Sequence, residues 1–343
     1  MLDPHSTLMF AEAAEAAAAI RQQHARNADA AARLGEMLRD SPPRVVITLA
    51  RGSSDNAATF ARYLIETHAG VLTSSASPSV SSVYDAAPGM DGTIMLAMSQ
   101  SGRSPDLVAA ATAAKDQGAF LVSLVNDEAS PLFALADVAL PLCASPEKSV
   151  AATKSFIATL AAILHMLAEW QQDARLLDAV RALPDLLEQA WAKDWSAALP
   201  TLQAADHLYV VGRGHGFGVA QEMALKFKET CGFHAEAFSA AEIRHGPMAL
   251  VGPDFPVLLT AQNDESQESV RSLADQFTAR GAQVLVAGLQ GTSGITLPAL
   301  EADPLVQPIL LVQSFYRMVN QLSVARGRDP DRPPTLAKVT ETL

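Results

Sequence analysis

Only two cysteines, Cys143 and Cys231, occur in the 343 residues, far apart and without C-x-x-C spacing. This excludes a disulfide framework and a thiolate zinc site, and leaves both thiols as small buried fillers. Basic residues are also short. With 25 Lys and Arg against 37 Asp and Glu, the formal net charge of -12 argues against broad nucleic-acid or anionic-membrane binding. Phosphate stays open as a ligand, because backbone N–H groups and hydroxyls at a helix N-terminus hold it without a cationic surface. No apolar run reaches membrane-spanning length without a charge or turn residue, and the opening MLDPHSTLMFAEAAEAAAAI carries acids where a signal peptide is basic. The expected location is the cytoplasm. What the chain has in quantity is apolar residues, 49% over a length that exceeds one typical core, so two domains of similar size are expected.

The halves repeat. An apolar run Val45 to Leu49 ends in Arg51-Gly52-Ser53-Ser54, and Leu208 to Val211 ends in Gly212-Arg213-Gly214-His215. Each enters a helical pattern, Asn56 to Ala69 and Val219 to Thr230. The next strands, Thr93 to Met98 and Val257 to Thr260, end in Ser99-Gln100-Ser101-Gly102 and Ala261-Gln262-Asn263-Asp264, with a helix after each. Third strands are Phe120 to Val125 and Gln283 to Ala287; fourth strands are Val138 to Leu142 and Ile295 to Leu297. Near-continuous apolar strands alternating with helices indicate parallel sheets covered on both faces. The fold class is therefore α/β: two tandem α/β/α sandwiches offset by about 160 residues. An Ala-rich stretch, Thr7 to Arg39, reads as a helix on the outside or on a partner subunit. Thr153 to Trp170 reads as an apolar helix, Leu176 to Ala198 as a helical linker interrupted by Pro184, and the tail from Gly327 as a frayed end.

Chemistry concentrates in residues 221–250. On a helix Glu222, Lys226 and Glu229 share one face, which sets one cation between two carboxylates and suits acid–base work on a small polar substrate. The same spacing also describes a solvated face with ordinary salt bridges. Two hydroxyl-rich turns, Gly52-Ser53-Ser54 and Ser99-Gln100-Ser101-Gly102-Arg103-Ser104, follow strand carboxyl ends in the first copy. Open parallel sheets bind ligands there, so the two turns make one phosphate site; alternatively, the serines cap the following helices.

These segments, with Val150-Ala151-Ala152-Thr153-Lys154, His234-Ala235-Glu236, Arg244-His245-Gly246-Pro247 and Leu336-Ala337-Lys338, follow in the order seen in sugar isomerase (SIS) proteins. The match runs from about Val45 to the C-terminus and resembles the isomerase half of glucosamine-6-phosphate synthase. The synthase's glutaminase domain and N-terminal Cys are not in this sequence, so no release of ammonia from glutamine is expected, and the chain resembles SIS-type glucosamine-6-phosphate deaminases. The resemblance divides it into an N-terminal helical segment (1–43), SIS domain 1 (44–170), a helical linker (171–199), SIS domain 2 (200–325) and a C-terminal tail closing the active site (326–343).

The resemblance implies conversion of glucosamine 6-phosphate and water to fructose 6-phosphate and ammonia. His245 would assist ring opening, Glu229 would shuttle the proton between C2 and C1, Lys226 would stabilise charge beside it, and Lys338 would contact and shield the open-chain sugar. Gly52, Ser53, Ser54, Ser99, Gln100, Ser101 and Ser104 would hold the phosphate; Val150, Ala152 and Ala337 would line the sugar, and Glu222 would position Lys226 or the sugar. His245 would reach the neighbouring subunit's site, which implies a homodimer. Neither metal nor organic cofactor is expected. His215 and His234 are read as structural. Arg103 stands where the synthase has Glu and Ala152 where it has Ser, so galactosamine 6-phosphate or a fructosamine 6-phosphate remains open as the substrate. A plain aldose–ketose phosphosugar isomerase would use the same Glu and His, whereas a non-catalytic sugar-phosphate sensor would need the serine turns alone.

Overall fold

Strands rich in Val, Ile and Leu need cover on both faces, and helices between them supply it. The protein is described over residues 2–338 by a computed structural model. The first half runs through α1 (Leu8–Ala14), α2 (Ala16–Asp40), β1 (Val45–Leu49), α3 (Ser53–Leu64), β2 (Thr73–Ser75), α4 (Ser79–Ser82), β3 (Thr93–Ser99), α5 (Pro105–Asp116), β4 (Phe120–Val125), α6 (Pro131–Leu135), β5 (Val138–Pro141) and α7 (Lys154–Gln171). The second runs through α8 (Ala174–Trp191), α9 (Leu199–Gln203), β6 (His207–Gly212), α10 (Phe217–Lys226), β7 (His234–Ser239), β8 (Pro256–Thr260), α11 (Gln267–Ala279), β9 (Gln283–Ala287), β10 (Ile295–Leu297) and α12 (Gln307–Ala325).

The strands form two five-stranded parallel sheets, ordered β2-β1-β3-β4-β5 and β7-β6-β8-β9-β10. The tandem α/β architecture is thus as expected, with one more strand in each sheet. The additional strands, β2 (TSS) and β7 (HAEAFS), lie on sheet edges, where one open flank permits polar residues; neither reads as an apolar run. In both sheets the chain order reverses beside the first strand, between β1 and β3 and between β6 and β8. Ligands of such sheets bind outside the strand carboxyl ends at these points.

The chain divides into two compact units. One comprises residues 18–147 and 154–181 with Ala337 and Lys338; its core joins Leu49, Met95 and Leu121 to Leu107 and Ala111 of α5. Within it α7 is buried on every side except at Glu169 and Gln171, so it reads apolar around its whole circumference. The other comprises residues 2–17, 148–153 and 182–336, and its core joins Val211, Leu259 and Val286 to Val270, Leu273 and Phe277 on one face of α11. Each such Leu or Phe contributes about 1.5–3 kcal/mol on full burial.

Three expectations about the helices change. Pro184 does not interrupt α8, which runs through it. The lost backbone bond and ring clash cost about 3 kcal/mol, offset by the buried stripe Leu176, Val180, Leu183, Leu187 and Ala190. The Ala-rich N-terminus forms two helices, and α2 packs onto its own unit: the Gln23 amide donates to Leu142 O and Ala158 O, and that of Asn27 to Pro141 O. Nor does the tail fray over its described part. The Asp331 carboxylate accepts from Leu8 N and Met9 N at the start of α1, both at 2.7 Å. Of the closing motif Lys338 to Leu343, residues 339–343 lie outside the described residues.

Candidate functional site

The serine turns fall at the β1/β3 switch point. Gly52 starts α3 at φ 56° and ψ -131°, a conformation that side chains resist. At Gly102, φ 63°, an added Cβ would collide with Ser130 and Val125, so only glycine folds this loop back. Ser99 is nearly buried and its Oγ accepts from Gly102 N at 2.9 Å, which leaves the hydroxyl proton to donate. Ser104 stands at the N-cap of α5, followed by Pro105, yet its side chain makes no capping bond. Capping therefore does not account for Ser104, whose hydroxyl stands at the start of a helix. Arg103 is tied to the loop after β4. Its Nε and Nη2 reach Asp127 Oδ2 at 2.8 and 2.7 Å, and Nη2 also reaches Ala129 O. A cavity of about 480 Å³ opens beside Gln100, with Asn126, Asp127, Cys143 and Ser145 on its walls; its polar lining suits hydroxyl groups, and its size suits a hexose. A second cavity, about 340 Å³ and lined by Val45, Ile47, Met95 and Ala110 among others, carries no charged side chain and offers no proton-transfer group.

Glu222, Lys226 and Glu229 lie in the other unit. The Glu222 and Lys226 side chains are both fully buried, and that of Glu229 is 21% exposed. Lys226 Nζ lies 3.4 Å from Glu222 Oε1 and bonds Glu229 Oε2 closely. Tyr316 of α12, itself buried, donates to Glu222 Oε1 at 2.9 Å. Solvated-face salt bridges do not describe this group. Burial acts to lower the Lys226 pKa, but Glu222 and Glu229 outweigh it and raise it above the ordinary lysine value. Lys226 is thus held as an ammonium, unfit as a neutral nucleophile and suited to stabilising an anion.

A π-turn at Phe227–Cys231 carries Glu229, and Gly232 closes it at φ 64°, where a Cβ would strike the Arg328 guanidinium. The first copy has the same device, Ile65–Ala69 closed by Gly70 at φ 66°. In that register Phe60, Leu64 and Thr67 stand where the second copy has Glu222, Lys226 and Glu229. The copies therefore differ, one carrying hydroxyl-rich turns and the other an ammonium between two carboxylates.

The second copy's own switch point is filled. Gln262 Nε2 donates to Arg213 O, Asp264 Oδ2 and Ser266 Oγ at 2.9 Å each, and His215 Nδ1 lies 3.5 Å from Asp264. Burial acts to raise the Asp264 pKa, but bonds from His215, Ser266 and Gln262 prevail and lower it to about 2. An ionised carboxylate there opposes a phosphate dianion. A depressed carboxylate pKa contributes stability above its unfolded value, 3.8, that is lost as pH falls through about 2. Asp264→Asn is accordingly expected to cost about 2 kcal/mol in urea unfolding near neutral pH, with the difference shrinking in acid. An equal cost in strong acid would refute the assignment.

Val150 and Ala152 are half-buried in a loop held from two sides. The Glu12 carboxylate accepts from Lys148 N and Ser149 N at 2.5 and 3.1 Å, and Asp331 O accepts from Val150 N at 3.2 Å. Lys338 Nζ pairs at 3.1 Å with Glu147 Oε2, a fully buried carboxylate that also accepts from Ser155 Oγ at 2.6 Å. Ala337 beside it is exposed. His245 ends the short helix Glu242–His245 and is exposed, with no hydrogen-bond partner among the described residues. His234 is exposed on the edge strand β7. Sequence reasoning missed Tyr316, Glu147, Glu12 and Asp331. Among the described residues no three His, Cys, Asp or Glu are placed to hold a metal, and no helix is long and apolar enough to cross a membrane.

The SIS domain family model matches residues 37–169 and 201–325. Two glutamine–fructose-6-phosphate aminotransferases, from Aeropyrum pernix and Pseudomonas syringae pv. tomato, are 35% and 36% identical over 85% and 86% of this chain. The matches cover 50% and 51% of their own length, so the chain spans about half of these curated relatives. A candidate phosphosugar isomerase from Silicibacter pomeroyi, known from a crystal structure, is 40% identical, with a TM-score of 0.91 over 95% of this chain and 100% of that one. With a parallel sheet and switch point in each copy and both copies matched, the chain belongs to the SIS domain family.

Proposed function

We propose that the protein is a phosphosugar isomerase that acts on an amino sugar, converting glucosamine 6-phosphate and water to fructose 6-phosphate and ammonia. The observation that carries this reading is the ammonium of Lys226 set between a fully buried carboxylate and one that reaches the surface. A carboxylate so placed is suited to take the proton from C2 of an open-chain sugar and return it at C1, while the neighbouring ammonium offsets the charge that builds in between. The enolamine becomes a C2 imine; water adds at C2, and the nitrogen leaves as ammonia. The amine itself stabilises the intermediate. The serine turns at β1 and β3 would hold the phosphate, Val150 and Ala152 would line the sugar, and Lys338, paired with Glu147, would shield it. His245 would open the ring in the site of a second copy of the chain, consistent with its exposure and with the lack of a side-chain partner among the described residues.

Purified protein given glucosamine 6-phosphate should release ammonia and form fructose 6-phosphate in equal amounts. Interconversion of aldose and ketose phosphates without ammonia would reduce the function to plain isomerisation. Binding of sugar phosphates without turnover of either kind would leave a sensor.

A further inference from the structure

The hydroxyls of the two serine turns are neutral, and a phosphate dianion brings two negative charges to a chain that is itself strongly acidic. Residues 51–54 and 99–104 contain two cations, Arg51 and Arg103. Arg103 is drawn off by Asp127 and Ala129. Arg51 is placed differently. It follows β1 directly, at the switch point, and its Nε and Nη2 both donate to one oxygen, Asp106 Oδ2, at 3.0 and 2.8 Å. Asp106, in the first turn of α5, is 1% exposed, and its other oxygen accepts from Leu107 N at 2.9 Å. The guanidinium is thus tied across the two turns by a buried anchor that engages one edge, and 52% of the Arg51 side chain remains open. Asp55, in the first turn of α3, also lies within its electrostatic reach. Both carboxylates therefore act on Arg51, the cation at the start of the first turn.

We propose that Arg51 is a further substrate-binding residue, whose open guanidinium edge contacts the phosphate of the sugar while Asp106 holds the other edge in place. The inference rests on the phosphate site proposed above. A guanidinium can serve a carboxylate and a phosphate at once through its planar fork; an ammonium, a single point charge, cannot do both from one position. Arg51 then makes the site selective for phosphorylated sugars, because a neutral sugar gains nothing from it.

The test measures calorimetric binding of glucosamine 6-phosphate and of inorganic phosphate to the full chain, comparing the parent, Arg51→Lys and the double variant Arg51→Gln/Asp106→Asn. The double variant removes both charges together, so no buried carboxylate is left unpaired and the thermal midpoint should stay near that of the parent. Its Kd for both ligands should rise roughly ten- to hundredfold, the loss of one charge-assisted bond, with KM raised and kcat little changed. Arg51→Lys should also weaken both ligands, by less. Parent affinity in either folded variant would overturn the proposal and make Arg51 a structural clasp, with the phosphate site itself intact. A parent that binds neither ligand would overturn the phosphate site and this inference with it.

Discussion

Glu229→Gln is expected to lower kcat by roughly a hundred- to ten-thousandfold, the range for loss of a positioned general base, with sugar-phosphate binding unchanged. Of the three charged side chains in the group, only Glu229 has surface access, and a base must reach the proton it removes. Glutamine keeps the size of the side chain and an oxygen that accepts from Lys226, so the fold should hold. The serine turns lie in the other sheet's unit, and the substitution leaves them untouched. The informative readout is deuterium: in D2O the parent should place solvent label on the sugar carbon that receives the proton, and the variant should not. A variant that still incorporates label at the parent rate would move the base to another residue. Glu222→Gln should behave differently, since its carboxylate is fully buried and engaged by Tyr316 and Lys226. Its main effect should be on stability.

The same contrast explains what was legible in the sequence. Strands β1, β4, β9 and β10 have the expected limits because an apolar run between turn residues specifies a buried parallel strand locally. The edge strands β2 and β7 escaped because their place depends on pairing with β1 and β6, which no local pattern encodes. The face shared by Glu222, Lys226 and Glu229 was readable from helical spacing. Its burial was not, since Tyr316 arrives from α12, nearly a hundred residues later. Ser104 was readable as a cap or a ligand, and the absence of a capping bond, visible only in the structure, removes the first reading. Arg103 and Arg51 look alike in sequence, each beside a glycine in a serine-rich turn. Their counter-charges separate them: Asp127 holds one on a neighbouring loop, and Asp106 ties the other across the switch point.

Lys226→Met is expected to destabilise the protein by about 3–5 kcal/mol, the cost of removing one partner from a buried ion pair. Methionine fills similar space, so the loss should come from charge and not from a cavity. In the parent, Lys226 has its pKa raised by its carboxylate neighbours against the pull of burial. Its contribution is therefore fully present below the unfolded lysine value, about 10.4, and is lost only as pH rises through the higher folded value. Across the physiological range the parent should show no pH dependence from this group. The variant should show one. With the ammonium gone, Glu222 keeps the Tyr316 bond but loses that counter-charge, and burial favours its neutral form. A carboxylate raised in this way contributes stability at low pH that is lost as pH rises, so the deficit against the parent should be smaller near pH 5 than near pH 8. Adding Glu222→Gln to Lys226→Met should recover a large part of the loss, because no buried charge then lacks a partner. Activity should not return with stability, since Glu229 would still lack the cation that offsets charge during proton transfer. A double variant that is both stable and active would show that Lys226 serves the fold alone; one that is stable and inactive assigns the ammonium to the chemistry.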